Sequence, residues 1–170
     1  MTLHDLTATD APEYKAFFTE ALHRHPDCFG ISPADEATEP FPTTGAPDSF
    51  TLGLRTATGE LAGVVSFQRE GAPRERHRHR GALFRMYVAR EFAGLSLGRR
   101  LMVEVLRRAA ALPGIEQVNL VVITTNTHAR RLYERAGFEA WGTEVRAFKN
   151  GATYYDKTEM SKFLLPHALS

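Results

Sequence analysis

The run Val118–Ile123, Val-Asn-Leu-Val-Val-Ile, limits the fold of this chain more than any other segment. A nearly continuous apolar, β-branched stretch of this length reads as a strand covered on both faces, the situation of strands in sheets with helices packed above and below. Helical patterns flank it on both sides. Upstream, Leu101, Met102, Val105, Leu106, Ala109 and Leu112 form a stripe that Pro113-Gly114 stops. Downstream, residues 127–136 put Ala129, Leu132, Tyr133 and Ala136 on one face, with Gly137 at the C-cap position. A strand held between two amphipathic helices specifies an α/β chain.

The remaining segments extend the sheet. Residues 2–8 suit a short strand. Asp10 reads as an N-cap with Glu13 completing a capping box, opening an amphipathic helix over 11–24. Residues 26–48, with five prolines, read as a loop with a short helix near Ala34. Ser49–Thr56 and Leu61–Arg69 form a hairpin. Ala82–Val88 alternates, with Phe84, Met86 and Val88 on one side and Leu83, Arg85 and Tyr87 on the other. Two last strands lie near 138–148 and 153–164. The order β-α-loop-β-β-β-α-β-α-β-β predicts one domain over residues 1–170, with a central mixed sheet flanked by helices.

Composition narrows the partners. Lys and Arg number 21 against 20 Asp and Glu, a formal net charge of +1, which does not favour a general nucleic-acid binder. The single cysteine, Cys28, cannot form an intrachain disulfide, as fits a reducing compartment. No basic leader followed by an apolar run opens the chain, and no apolar stretch approaches the ~20 residues of a membrane span. The expectation is a cytoplasmic protein without nucleic-acid or membrane partners.

Between Val88 and Leu101 lies a segment with alternating small residues, Gly94, Ser96 and Gly98, followed by Arg99 and Arg100. Small residues let backbone N–H groups converge on an anion at a helix N-terminus, a cradle for pyrophosphate. The same residues also suit a plain strand-to-helix turn. The spacing matches neither the Walker loop nor the dinucleotide fingerprint.

The segment that follows the apolar strand carries Asn126, Ala129, Leu132, Tyr133, Glu134, Gly137 and Phe138. This spacing, Asn-x-x-Ala-x-x-Leu-Tyr-Glu-x-x-Gly-Phe, resembles the hallmark of the GNAT superfamily of N-acetyltransferases. The glycine loop is similar to the superfamily's acetyl-CoA motif: Ala93 stands where Gln or Arg is usual, Ser96 replaces the first glycine, and Gly98 is retained. His79-Arg80-Gly81, Met86-Tyr87-Val88 and Gly151-x-x-Tyr154-Tyr155-Asp156 resemble a branch of small bacterial members. The resemblance covers about residues 2–164.

It implies a GNAT-type acyl-CoA N-acyltransferase fold in which the strands near 82–88 and 118–123 splay, the former carrying a bulge, and the pantetheine arm of acetyl-CoA lies between them. Met86, Tyr87 and Val88 would line that arm, with the Val88 N–H facing the thioester oxygen. Ala93, Gly94, Leu95, Ser96, Leu97, Gly98 and Arg99 would hold the pyrophosphate. Asn126 would bond the pantetheine amide, beside Ala129 and Arg130. Tyr133 would protonate the leaving thiolate. The implied reaction is direct attack of a primary amine, from a small molecule or peptide, with no metal and no thiol nucleophile at Cys28.

The general base is not legible, because the 82–88 strand has no carboxylate. Ordered water, Glu91, His79 and Asp156 are the candidates. Absence of that carboxylate also suits a non-catalytic acyl-CoA sensor. The basic run Arg74–Arg80, if extended, puts four arginines on one side. It reads as a solvated loop, a contact for an anionic acceptor or coenzyme A phosphate, or a nucleic-acid contact. Edge strands near the C-terminus would allow a homodimer.

Overall fold

The structure is a computed structural model and describes residues 1–71 and 74–164. Residues 72, 73 and 165–170, which the single-domain expectation includes, lie outside the described residues.

The elements are β1 (Thr2–Leu6), α1 (Ala11–Arg24), α2 (Pro33–Thr38), β2 (Ser49–Arg55), β3 (Leu61–Arg69), β4 (Arg80–Val88), α3 (Leu97–Ala111), β5 (Gln117–Ile123), α4 (Thr127–Arg135), β6 (Glu139–Asn150) and β7 (Thr153–Phe163), with short 3₁₀ turns between some of them. The strands form one seven-stranded sheet in the order β1-β2-β3-β4-β5-β7-β6. Every neighbouring pair is antiparallel except β4 and β5, which α3 connects in parallel. The α/β class and the mixed sheet expected from the sequence are both present.

Two apolar clusters hold the layers. On one face Leu101, Met102, Val105 and Ala109 of α3 pack with Leu52, Phe67, Leu83, Val118, Leu120 and Tyr133. On the other, Tyr14, Phe18 and Leu22 of α1 pack with Leu6, Leu61 and Val64. The helical spacing of those apolar residues is what directs α1 and α3 to opposite faces.

Several local expectations are corrected. The capping box sits one turn earlier than expected: the Thr7 N–H donates to the Asp10 carboxylate at 2.8 Å, and Glu13 instead pairs with Arg55. β5 is not covered on both faces. Val118, Leu120 and Val122 are buried, but Val121 is 46% exposed. The reason is that α1 packs on Leu61 and Val64 of β3 and does not reach β5. The segment Arg74–Arg80 is not extended: Glu75–His77 form a 3₁₀ turn, and Arg80 belongs to β4, where it pairs with Glu70 at 3.0 Å. The arginines therefore do not share one side.

The alternation expected along β4 breaks at Arg85. Phe84 faces Ser66 of β3 while Tyr87 faces Val64, so three steps on one strand match two on the other. Arg85 takes up the extra residue with a φ of 52°, making a β-bulge. Leu83 consequently shares the α3 cluster with Met86 and Val88, while Tyr87 packs with α1.

α3 is tied to β1 from its outer side. Glu104 accepts from Arg107 and Arg108, and Arg108 also pairs with Asp5 and lies over the Phe50 ring at 5.4 Å. These hydrogen bonds, first from Arg107 and then from Arg108, hold the Glu104 carboxyl well below its ordinary value of 4.5, at about 2. A depressed carboxyl stabilises the fold above its unfolded pKa and ceases to do so as pH falls through the folded one. Glu104→Gln is therefore expected to lower the melting temperature at neutral pH. The difference from the parent protein should shrink as pH falls from 4.5 to about 2, measured by thermal unfolding across that range.

Candidate active site

The parallel ladder between β4 and β5 is short. Arg80 pairs with Gln117, Gly81 with Val118 and Ala82 with Asn119, and there it ends. β5 remains paired on its other side with β7 along its whole length, Gln117 to Ile123. Past Ala82 the two strands diverge, leaving one edge of each without a strand partner. The bulge at Arg85 is the point where β4 changes course.

Backbone direction along β4 follows from its other ladder. The Ala89 N–H donates to the Ala62 carbonyl at 3.0 Å, toward β3. Strand alternation therefore turns the Val88 N–H to the opposite edge, into the gap. Met86 and Val88 pack with the α3 cluster. Tyr87 lies elsewhere. Its ring packs against Phe17, His25 and Phe29, at 5.4, 5.9 and 6.2 Å between centroids, on the α1 face. The structure thus separates Tyr87 from Met86 and Val88, as the strand alternation implies, although the family resemblance groups all three at the pantetheine arm.

The N-terminus of α3 closes one end of the gap. Gly94 takes a φ of 82° and Ser96 one of 56°, and Ser96 provides no side-chain cap. The first backbone bond of the helix runs from the Arg100 N–H to the Ser96 carbonyl at 3.1 Å. Among the described residues, the N–H groups of Leu97, Gly98 and Arg99 have no capping acceptor, so the helix end presents three donors and its positive dipole. Gly98 permits close packing here: a Cβ on it would stand 3.2 Å from Leu132 of α4 and 3.6 Å from Met86. The Leu97 side chain is buried in the core and Leu95 is 57% exposed. Ala93 and Arg99 are exposed.

α4 closes the other side. Asn126 is its N-cap, its Oδ1 accepting from the Ala129 N–H at 3.2 Å. The side-chain amide Nδ2 makes no hydrogen bond among the described residues. Gly137, with a φ of 92°, ends the helix, and the Phe138 N–H returns to the Tyr133 carbonyl at 3.0 Å. Tyr133 is buried, with its ring edge-to-face with Phe138 at 6.2 Å. Burial pushes its phenol up to about 12, so it is protonated at neutral pH. Arg130 points along the helix to Glu134 at 3.8 Å, and its Nε is buried without a partner.

The candidate bases are engaged or remote. The Glu91 carboxylate pairs with Arg24 at 2.5 Å. Its own backbone N–H, and then Arg24, lower its pKa. Asp156 accepts from the Arg146 N–H at 2.8 Å, beside a left-handed backbone at Arg146 of β6. The carbonyl of His79 accepts from the Glu116 N–H at 2.8 Å, at the paired end of β4, away from the gap.

One group beside the bulge was not legible from the sequence. Arg85 pairs through Nη1 with Glu36 of α2 at 2.5 Å and through Nη2 with Glu39. Neither residue belongs to a motif. Glu36 lies in the short helix expected near Ala34 within an acidic loop, and Arg85 reads as an ordinary strand residue.

The chain is similar to known proteins in sequence and in fold. A family model described as acetyltransferase (GNAT) family matches residues 13–138. A mycothiol acetyltransferase of Acidothermus cellulolyticus is 37% identical over 118 residues, 63% of this chain and 34% of that protein. One of Stackebrandtia nassauensis is 31% identical over 129 residues, 76% of this chain and 41% of that protein. The chain thus spans about two fifths or less of the length of these relatives. A putative acetyltransferase of Salmonella typhimurium, solved with its cofactor acetyl-CoA, shares the fold with a TM-score of 0.78 at 18% identity, covering 100% of this chain and 97% of that one.

The cap at Asn126 makes a direct prediction. Asn126→Ala should cost about 1 kcal/mol of stability in denaturant unfolding, and Asn126→Asp should recover most of it.

Proposed function

The chain belongs to the GNAT acetyltransferase family, and from that premise we propose that it transfers the acetyl group of acetyl-CoA to a primary amine. The observation that carries this reading is the broken β4–β5 ladder, with the bare N-terminus of α3 at its end. Two unpaired strand edges suit an extended amide-bearing arm, and three free N–H groups at a helix end suit a pyrophosphate. The residues present therefore fit the group.

Bound acetyl-CoA supplies an activated acetyl thioester. The Val88 N–H is the donor on the open edge and would stabilise negative charge building on the thioester oxygen, an interaction worth roughly 3 kcal/mol in acyl-transfer sites. The Leu97, Gly98 and Arg99 N–H groups hold phosphate oxygens, with Gly94 and Ser96 giving the backbone turn. Asn126 Nδ2 is free to donate to an amide carbonyl of the arm. Tyr133 holds a proton on its hydroxyl for the leaving sulfur. The dryness that raises this phenol also makes a thiolate beside it more basic, so the donor and acceptor pKa values rise together.

The acceptor is proposed only as a primary amine of a small molecule or peptide. The names of the two mycothiol acetyltransferases place a mycothiol-type amine among the acceptors to be tried. A second reading, a non-catalytic acyl-CoA sensor, is favoured by one observation: Glu91 and Asp156, the acids near the open end of the gap, are both held in other bonds.

Thiol release from acetyl-CoA across a panel of primary amines separates the two. Amine-dependent release supports the enzyme, whereas saturable acetyl-CoA binding without release supports the sensor. With a working amine, Tyr133→Phe should lower kcat about tenfold or more and leave acetyl-CoA affinity nearly unchanged. Unchanged kcat would remove Tyr133 from the proton transfer.

A further inference from the structure

The bulge that opens the gap rests on an unfavourable backbone. Arg85 is one of three non-glycine residues with positive φ among the described residues. A left-handed conformation costs a side-chain-bearing residue free energy and persists where its surroundings over-determine it. β4 has an alternative: its register with β5 is already set at Ala82 and Asn119, and a straight β4 would continue that ladder and close the gap.

What over-determines Arg85 lies on the α1 face. Its side chain is only 9% exposed, stacked over the Phe18 ring at 5.2 Å. Glu36, its partner, is fully buried. Among the described residues the second Glu36 oxygen, Oε1, has no hydrogen-bond partner, and the buried Tyr14 hydroxyl adjoins Arg85. Glu39 binds the other guanidinium nitrogen from the surface. Lys15 of α1 fixes the end of α2, donating to the Glu39 carbonyl at 2.5 Å. Releasing Arg85 would leave a carboxylate buried and wholly unpaired, a large penalty. The charged and titratable groups facing Glu36 are thus Arg85 of β4, Lys15 and Tyr14 of α1, and Glu39 at the end of α2. Burial raises the Glu36 carboxyl and Arg85 opposes the rise.

We propose that Glu36 is a positioning residue for the cofactor gap: its buried ion pair pins Arg85 in the left-handed bulge and thereby holds the Met86–Val88 edge away from β5. The short helix α2, remote in sequence from every motif, then sets the separation of the two strands from the α1 face of the sheet. This rests on the proposed acetyl-CoA reading and adds to it a residue that touches neither substrate.

The test needs no acceptor. Glu36→Ala alone leaves Arg85 buried beside a missing partner and is prone to misfold, so both charges are removed together. Two double variants are compared, E36Q with R85G and E36Q with R85A, by isothermal titration with acetyl-CoA and by melting temperature without it. Glycine adopts positive φ freely, whereas alanine does not. The R85G double variant should bind within about threefold of the parent protein, and the R85A double variant about tenfold or more weakly. In a pair acting only on stability, glycine in a strand is the poorer residue, and the R85G variant would bind no better than the R85A variant. That equality would overturn the inference while leaving the proposed function intact. Absence of binding by the parent protein would instead overturn the proposed function, and this inference with it.

Discussion

A hydrogen-bond ladder that stops after three pairs governs this structure. Parallel strands in a sheet ordinarily keep their amides satisfied from end to end, because unpaired backbone groups away from water are costly. Here β4 leaves β5 at Ala82. The strands beyond are held by other partners, β4 by β3 and β5 by β7. The sheet stays paired on both sides of the break.

The two helices that follow the diverging strands each deliver one end to this gap. α3 brings a terminus with uncapped donors, because the left-handed Ser96 offers no side-chain acceptor. α4 brings Tyr133, buried on the same apolar cluster as Met86 and Val88. Gly98 allows these pieces to meet, since a larger residue would press on Leu132. On the opposite face lie the aromatic rings of Phe17, Phe29 and Tyr87 and the ion pair of Arg85 with Glu36.

Much of the fold was legible because it rests on local patterns. The stripe from Leu101 to Ala109, the apolar run of β5 and the Asn126-to-Phe138 spacing each encode one element and its orientation, and the family resemblance supplied the splay. What was not legible depends on pairing across the chain. The shared face of Leu83, Met86 and Val88 could not be read, because a one-residue bulge at Arg85 shifts the alternation of every later residue in β4 relative to those before it. The exposure of Val121 depends on how far α1 reaches across the sheet. Glu36 carries no signal at all in the sequence: six residues of helix amid prolines bury a carboxylate only because an arginine forty-nine positions later turns toward it. The general base was sought among ordered water, Glu91, His79 and Asp156, and in the structure Glu91 and Asp156 are bonded to Arg24 and to the Arg146 backbone.

The account stands on acetyl-CoA occupying the gap between β4 and β5, and amide hydrogen exchange tests that most directly. Exchange would be followed residue by residue with and without saturating acetyl-CoA. The account predicts slowed exchange at Val88 and at Leu97, Gly98 and Arg99, with little change along the remote edge strand β6. Protection concentrated elsewhere, with those four amides exchanging as before, would contradict it.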